Sequence, residues 1–472
     1  MRIVSALQSS LTMDLKRHLR SPALWFVALA APIAAHYMVP DKEATYAVLT
    51  VNGLIPVLNA PVLGLELGVL AATLLTPLAY IFLRAGPTRH RPWQITDITP
   101  HSRAAWALGR WASDTLALWL LLAALTSAGL ILGLFRLDGE SNIVQTIVAL
   151  WLPAAPALAL VAAIRLFMDA RNLTRGWLGD TVFLVVWIAL MISGIIGTTD
   201  PETQQMTTSP MTDAFGFVSP IIGSVDYPVD AVTIGGASNT GENILIDAWQ
   251  GVTNFGYISA RLFWLAIAAS LALVAGLIWA PVKTRTPKTA GNDIAQADIL
   301  AASIPNVSFS APRAVASGST NYGAVVLSEI RLMFRNRFWI LVLSVAAISG
   351  LVMPFRMAAG PILFLALIFP LTDASARWQS KTTEQLLNTM GPGRFGRTGI
   401  LSFASVLTAL VVVLPTTAMV VLQNQMQWLP HIFLISVILP LVIVGLGAVT
   451  RSAVTGRLLT LIAWYVYLSS AS

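Results

Sequence analysis

Few side chains in this sequence are placed to do chemistry, and their spacing argues against most of it. The five histidines, His18, His36, His90, His101 and His431, are scattered and never fall at the His-x-x-x-His interval that sets two metal ligands on one helix face. The chain has no cysteine, which removes thiolate metal sites and disulfides together. A phosphate-binding loop needs a glycine directly before its lysine. The lysines are Lys16, Lys42, Lys283, Lys288 and Lys381, and none follows glycine, so the chain is expected to be neither an ATPase nor another enzyme. What remains is charge inside apolar stretches, where its cost in lipid makes every instance a functional suspect. Glu66 is the foremost, near the outer end of its apolar run, as a coupling carboxylate or as a side chain snorkelling to water. Arg110 and Asp114, four apart, read as a local ion pair on one helix. Asp180 beside Arg175 and Asp373 beside Arg377 read as span ends. His18, His90 and His101 fall near loops or headgroups, and His36 and His431 near the external interface as solvated or capped rings.

The elements that must position these groups are membrane helices. Of 472 residues, 56% are hydrophobic and 11% charged, against about a quarter charged in soluble domains, and the apolar residues come in runs. A crossing takes about 20 apolar residues. Lipid offers no partner to an open sheet edge, and the alternation of a barrel is missing, so the runs are helices. They lie near 22–38, 62–84, 105–135, 143–164, 178–198, 260–282, 337–355, 358–373, 400–423, 429–449 and 455–470, about eleven crossings, with a re-entrant hairpin around Arg356 as the alternative for one pair. Lys16, Arg17 and Arg20 before an apolar run imitate a signal peptide, but the same pattern returns mid-chain, so no cleavage is expected. The net charge of +7 sits in short loops, which points to membrane topology and not to nucleic acid. Alternate loops carry the bases: Arg84 to Arg103, Arg165 to Arg175, Lys283 to Arg335, Arg377 to Arg397, and Arg451 with Arg457. These loops belong in the cytoplasm with the N-terminus, and the C-terminus belongs outside. The segment 199–259 is acidic up to Asp247 and is expected outside as loop with short helices such as Asn243 to Gln250. A polar linker, 283–322, divides a first half, 1–282, from a second, 323–472.

The halves repeat each other. Val4, Leu7, Leu11, Leu15 and Leu19 form an apolar stripe before the first run, opposite Ser5, Gln8, Ser9, Thr12 and Lys16, as in a helix lying on the membrane surface. After the linker Val326, Ile330, Met333 and Phe334 do the same, opposite Glu329, Arg331 and Arg335. Asp14, Lys16 and Arg20 match Glu329, Arg331 and Arg335 at one constant offset. Two runs later each half has a cytoplasmic loop with a short helix. In one, Pro92 opens it, Ile95 and Ile98 share a face, and Pro100 stops it. In the other, Thr382 and Gln385 form a capping box, Leu386, Leu387 and Met390 make the apolar face, and Gly391-Pro392 ends it. Arg171 to Leu178 likewise resembles Arg451 to Leu458. Equivalent loops face the same side, so the repeat is parallel, unlike the inverted repeats of many secondary carriers.

On these residues the chain resembles the ABC-2 type permeases, the membrane subunits of ABC exporters of the type V fold. The likeness rests on Asp14-Leu-Lys-Arg-His-Leu-Arg-Ser-Pro22 and Glu329-Ile-Arg-Leu-Met-Phe-Arg-Asn336. It rests also on Thr383-Glu-Gln-Leu-Leu-Asn-Thr-Met-Gly-Pro-Gly-Arg394, with Trp93-Gln-Ile-Thr-Asp-Ile-Thr-Pro-His-Ser-Arg103 as a first-half version lacking the opening acid. The resemblance implies an all-α integral membrane protein with two parallel repeats, each preceded by an interfacial helix, of six and five spans. It implies that Trp93, Ile95, Ile98 and Arg103, with Glu384, Leu386, Leu387 and Arg394, dock as coupling helices on an ABC ATPase, aided by Arg171, Arg175, Arg451 and Arg457. ATP and Mg would be held by that partner, in two copies, and none by this chain. The setting would be a bacterial inner membrane and the cargo apolar or amphipathic. A secondary carrier, with Glu66 as its coupling carboxylate, and a membrane-embedded enzyme or scaffold are the competing classes. The missing twelfth span departs from the family pattern.

Overall fold

The computed structural model describes residues 2–41, 44, 46–86, 102–175, 177–196, 209–238, 241–280, 322–334, 337–377, 394–450 and 453–471. Helices account for nearly all of it, as the apolar runs require. The first half is built from α1 (Arg2–Leu19), α2 (Pro22–Leu29), α3 (Ala31–Met38), α4 (Ala60–Thr73), α5 (Leu75–Ala85), α6 (Arg103–Arg136), α7 (Ile143–Ala170), α8 (Trp177–Ile196), α9 (Ser219–Ile222), α10 (Ala248–Thr253) and α11 (Phe255–Leu277). The second comprises α12 (Tyr322–Met333), α13 (Arg337–Val352), α14 (Gly360–Arg377), α15 (Arg394–Leu422), α16 (Leu429–Phe433), α17 (Leu439–Thr450) and α18 (Ala453–Ala471). Wider π turns at Phe355–Ala359 and Leu434–Ile438 run into α14 and α17. Starts are set locally: Asn59, Ser102 and Asn142 each accept a backbone N–H from the third residue onward, satisfying a donor that the first turn leaves open.

Among the described residues six helices are long and apolar enough to cross a membrane, or up to eight if each bent pair is one span. One bend falls within an expected straight span, 62–84, and the other lies where the helix before the first run was expected to turn into it. The chain turns by 61° between α1 and the α2–α3 run, and by 47° between α4 and α5. The central helix is α7, whose apolar window is 78% buried, whereas α8 at 17% stands at the periphery and turns its apolar side outward. Close approach of α4 to α7 depends on Gly64 and Gly68, where an added Cβ would lie 2.3 Å from the Thr146 carbonyl oxygen and 2.7 Å from that of Leu150.

Opposite α1, the expectation of loop and short helices needs correction. Strands β1 (Tyr46–Val51) and β3 (Val232–Ser238) pair antiparallel, and β2 (Ile55–Pro56) pairs in parallel with β4 (Asn243–Ile244). The helix expected at Asn243 to Gln250 is therefore strand first, then α10, capped by Asp247. Asn52-Gly53, both at positive φ, make the tight turn between β1 and β2, the dipeptide best suited to that geometry. The Asn52 carboxamide oxygen also accepts from the N–H of Asp230 and Ala231. Phe215, Val218, Ile221, Ile246 and Val252 are buried in the same core as α4 and α7, so this segment is a packed cap and not a free loop.

Candidate functional site

The strongest polar constellation lies where α1 meets the spans. Its face at four-residue spacing, Ser10, Asp14 and His18, is buried against α6, and Gly109 makes room for it: a Cβ there would sit 2.4 Å from the Leu7 carbonyl oxygen. It is the polar stripe of α1, and not its leucine stripe, that packs on the protein. Leu7, Leu11 and Leu15 are only half-buried, Val4 and Leu19 are exposed, and the polar stripe between them and the basic residues does the docking. His18 Nε2 lies 2.7 Å from Asp114 Oδ1, and Arg165 Nη1 donates to Asp114 Oδ2 at 3.0 Å, with all three side chains fully buried. The local pair expected between Arg110 and Asp114 is not the bond that forms. Arg110 instead stacks on Trp106 at 5.3 Å and faces Trp279, with Nε and Nη2 lacking hydrogen-bond partners.

From Arg165 the network continues to Asp169, at 3.3 Å one turn along α7, and Asp169 also binds Arg84 of α5. Arg84 Nε donates to Asp180 Oδ1 of α8 at 2.8 Å, Arg84 Nη2 to the Thr174 carbonyl at 3.1 Å, and Tyr80 to Asp180 at 3.2 Å. Asp180, in the first turn of α8 as a span end should be, therefore joins α8 to α5. Arg84 and Arg165, counted with the cytoplasmic loops by sequence, are buried, and His18 is no headgroup residue. Three buried carboxylates (Asp14, Asp114, Asp169) stand with three buried guanidinium groups (Arg84, Arg110, Arg165). That balance is what makes burial tolerable, since an unpaired ion in a low-dielectric interior costs several kcal/mol. Burial raises the Asp14 carboxyl above the ordinary carboxylate range, against the pull of Arg110 and Arg17. The arrangement clamps α1 to four spans. Among the described residues no group of three or more His, Cys, Asp or Glu could hold a metal ion.

The second half places α12 in the same way. Asp14 and His18 correspond to Glu329 and Met333, which are likewise buried, while Leu11 and Leu15 match half-buried Val326 and Ile330, and Lys16 and Arg17 match exposed Arg331 and Leu332. As α1 lies on α6, α12 lies on α15, with the Thr408 hydroxyl donating to Met333 Sδ at 3.7 Å. Asp373 of α14 binds Arg457 of α18. Arg84–Asp180 and Asp373–Arg457 both tie the end of the second apolar run of a half to the start of its fifth, with the signs exchanged.

Between the halves lies a cavity of about 90 Å³ walled by apolar side chains, among them Ala30, Phe82, Leu122 and Leu158 from the first half and Leu458 and Ile462 from α18. Phe82 stacks on His18 at 6.1 Å, so the cavity abuts the charged clamp.

Of the docking residues expected from sequence, Trp93, Ile95, Ile98, Glu384, Leu386, Leu387 and Arg451 lie outside the described residues, as does 283–321 of the linker. Arg394 opens α15. Arg103 opens α6 and donates to the Trp279 carbonyl at 3.2 Å. Arg175 donates to the carbonyls of Asp169 and Ala280 and stacks on Trp279, so both arginines hold the end of α11. Arg171 is exposed. Glu66 is buried within α4, and its Oε2 has no hydrogen-bond partner. Sequence reasoning missed Ser10, His18, Arg165 and Asp169 as one constellation, although the four-residue intervals Ser10-Asp14-His18 and Arg165-Asp169 were there to be read. A scan against protein-family models and searches of curated proteins and solved structures return no match for this chain.

Proposed function

We propose that the chain is the membrane permease of an ATP-driven exporter, of the ABC-2 type, with two parallel halves fused in one polypeptide. The observation that carries this reading is the paired burial of α1 and α12. Asp14 and His18 of one helix and Glu329 and Met333 of the other are buried at matching positions, Lys16 and Arg331 are exposed at matching positions, and each helix lies on the third apolar run of its own half. The sign-exchanged ion pairs at the second and fifth runs add to it. In this reading the chain crosses a bacterial inner membrane about eleven times, with its N-terminus in the cytoplasm and its C-terminus outside. Two copies of a separate ATPase, holding ATP and Mg, dock at Trp93 to Arg103 and Glu384 to Arg394, next to Arg171, Arg175, Arg451 and Arg457. Their closure moves the halves as rigid bodies, and the apolar inter-half cavity suits an apolar or amphipathic cargo.

The test is co-purification with the ATPase. Leu386→Asp with Leu387→Asp puts charge where a partner's groove expects hydrocarbon, at several kcal/mol if uncompensated. Membrane insertion survives while ATPase association and transport are lost. Full association by that variant refutes the docking role. A second reading, a secondary carrier, is favoured by Glu66, buried with one oxygen unpartnered, since such carboxylates carry coupling protons in pumps and transporters. Glu66→Gln abolishes transport in a carrier and spares it in the permease.

A further inference from the structure

The cavity wall contributed by the second half is a single helix. Leu458 and Ile462 of α18 face Phe82 and Leu122 across the space. Arg457, the residue before Leu458, binds Asp373 of α14, approaches Thr372 Oγ1 at 3.3 Å and stacks on Phe369 at 5.3 Å. Its counterpart in the first half is very differently set. Arg84 there is 8% exposed and bonded to Asp169 and to the Thr174 carbonyl as well as to Asp180. The carboxylates of the two pairs are exposed alike, Asp180 at 52% and Asp373 at 49%, and what differs is the further bonding: Arg84 also holds buried Asp169, and Asp180 also accepts from Tyr80. Water and salt weaken an ion pair with an exposed carboxylate; the first connection keeps the Asp169, Thr174 and Tyr80 bonds when that happens, so it is fixed and the other is releasable.

We infer that Asp373–Arg457 is the latch of the cavity: when it parts, the start of α18 swings away from α14 and Leu458 opens to water. The first-half helices, clamped through Arg84, Asp114 and Arg165, form the stationary wall. The device concerns the same cavity that the permease reading uses, yet it can be measured without an ATPase. A failed latch and a failed docking partner are therefore distinguishable.

The absence of native cysteine makes a single reporter unambiguous. Leu458→Cys places a thiol at a position 2% exposed, and its reaction with a charged methanethiosulfonate is followed in detergent, where both faces of the protein are reachable. Adding Asp373→Asn or Arg457→Gln accelerates labelling about two- to fivefold, the range an exposed ion pair supports. The exchanged pair Asp373→Arg with Arg457→Asp restores the slow rate. Asp180→Asn, at the fixed connection, leaves it unchanged. The reporter protein itself is labelled faster on going from about 0.05 M to about 1 M salt, where the screening length falls to about 3 Å. The salt arm decides the matter even if a latch variant fails to fold. Labelling indifferent to both salt and Asp373→Asn, or accelerated as much by Asp180→Asn, overturns the latch.

Discussion

Asp114→Asn keeps the shape of the side chain at the centre of the clamp and removes its charge. In the native protein that carboxylate holds His18 at 2.7 Å and Arg165 at 3.0 Å, all at 0% side-chain exposure. The variant leaves Arg165 with Asp169 at 3.3 Å as its remaining carboxylate, and Asp169 is already shared with Arg84. Three buried acids against three buried guanidinium groups become two against three. Breaking a buried pair from one side costs about 3–5 kcal/mol, whereas Asp373→Asn at the half-exposed pair costs about 0–1 kcal/mol. Unfolding in mixed micelles with rising dodecyl sulfate, followed by tryptophan fluorescence, reads both. The same loss frees α1, so tryptic cleavage at Lys16 and Arg17 accelerates in Asp114→Asn and not in Asp373→Asn. Adding Arg165→Met to Asp114→Asn recovers part of the stability, because replacing both partners of a buried pair costs less than orphaning one. A cost for Asp114→Asn below about 1 kcal/mol, no larger than that for Asp373→Asn, refutes the claim that this network holds α1 to the spans.

Three further outcomes are expected. Ile95→Asp with Ile98→Asp lowers ATPase association as the Leu386/Leu387 change does, or more weakly if the second half docks the tighter, while a control at Ile195 and Ile196 leaves pull-down unchanged. A tag inserted at Gly241 is reachable in intact cells and one at Ala301 is not; protection of the first overturns the orientation. Asp14→Asn gains stability relative to the native protein as pH rises toward neutral. Its folded carboxyl is raised by burial, so ionisation costs stability as pH rises from the ordinary value of 3.8 through the folded one. The advantage of Asn over Asp therefore fades as pH falls toward 3.8, which unfolding measured across that range checks.

Helix caps and the positions of apolar runs were legible because both are local. Asn59, Ser102 and Asn142 act within three residues, and lipid allows an apolar run little choice but a helix. The periodicity of α1 was legible too, but not that its polar stripe packs on α6. A stripe of leucines and a stripe of Ser10, Asp14 and His18 share that helix, and which one docks depends on what α6 offers. The four-residue interval between Arg110 and Asp114 misled for a related reason, since a local partner loses to two distant ones once the site is buried.

Sequence by itself determined that this is a helical membrane protein with basic residues on alternate connections and two similar amphipathic helices. Only the tertiary structure decided which charges leave water. His18 meets Asp114, and Arg84 meets Asp180, each across 96 residues of chain, and β1 finds β3 from Tyr46 to Ser238. Hydrophobic periodicity is written within a few turns of one helix. A buried ion pair is a bargain between helices, in which desolvation of each charge is offset only by a partner that packing alone brings within reach.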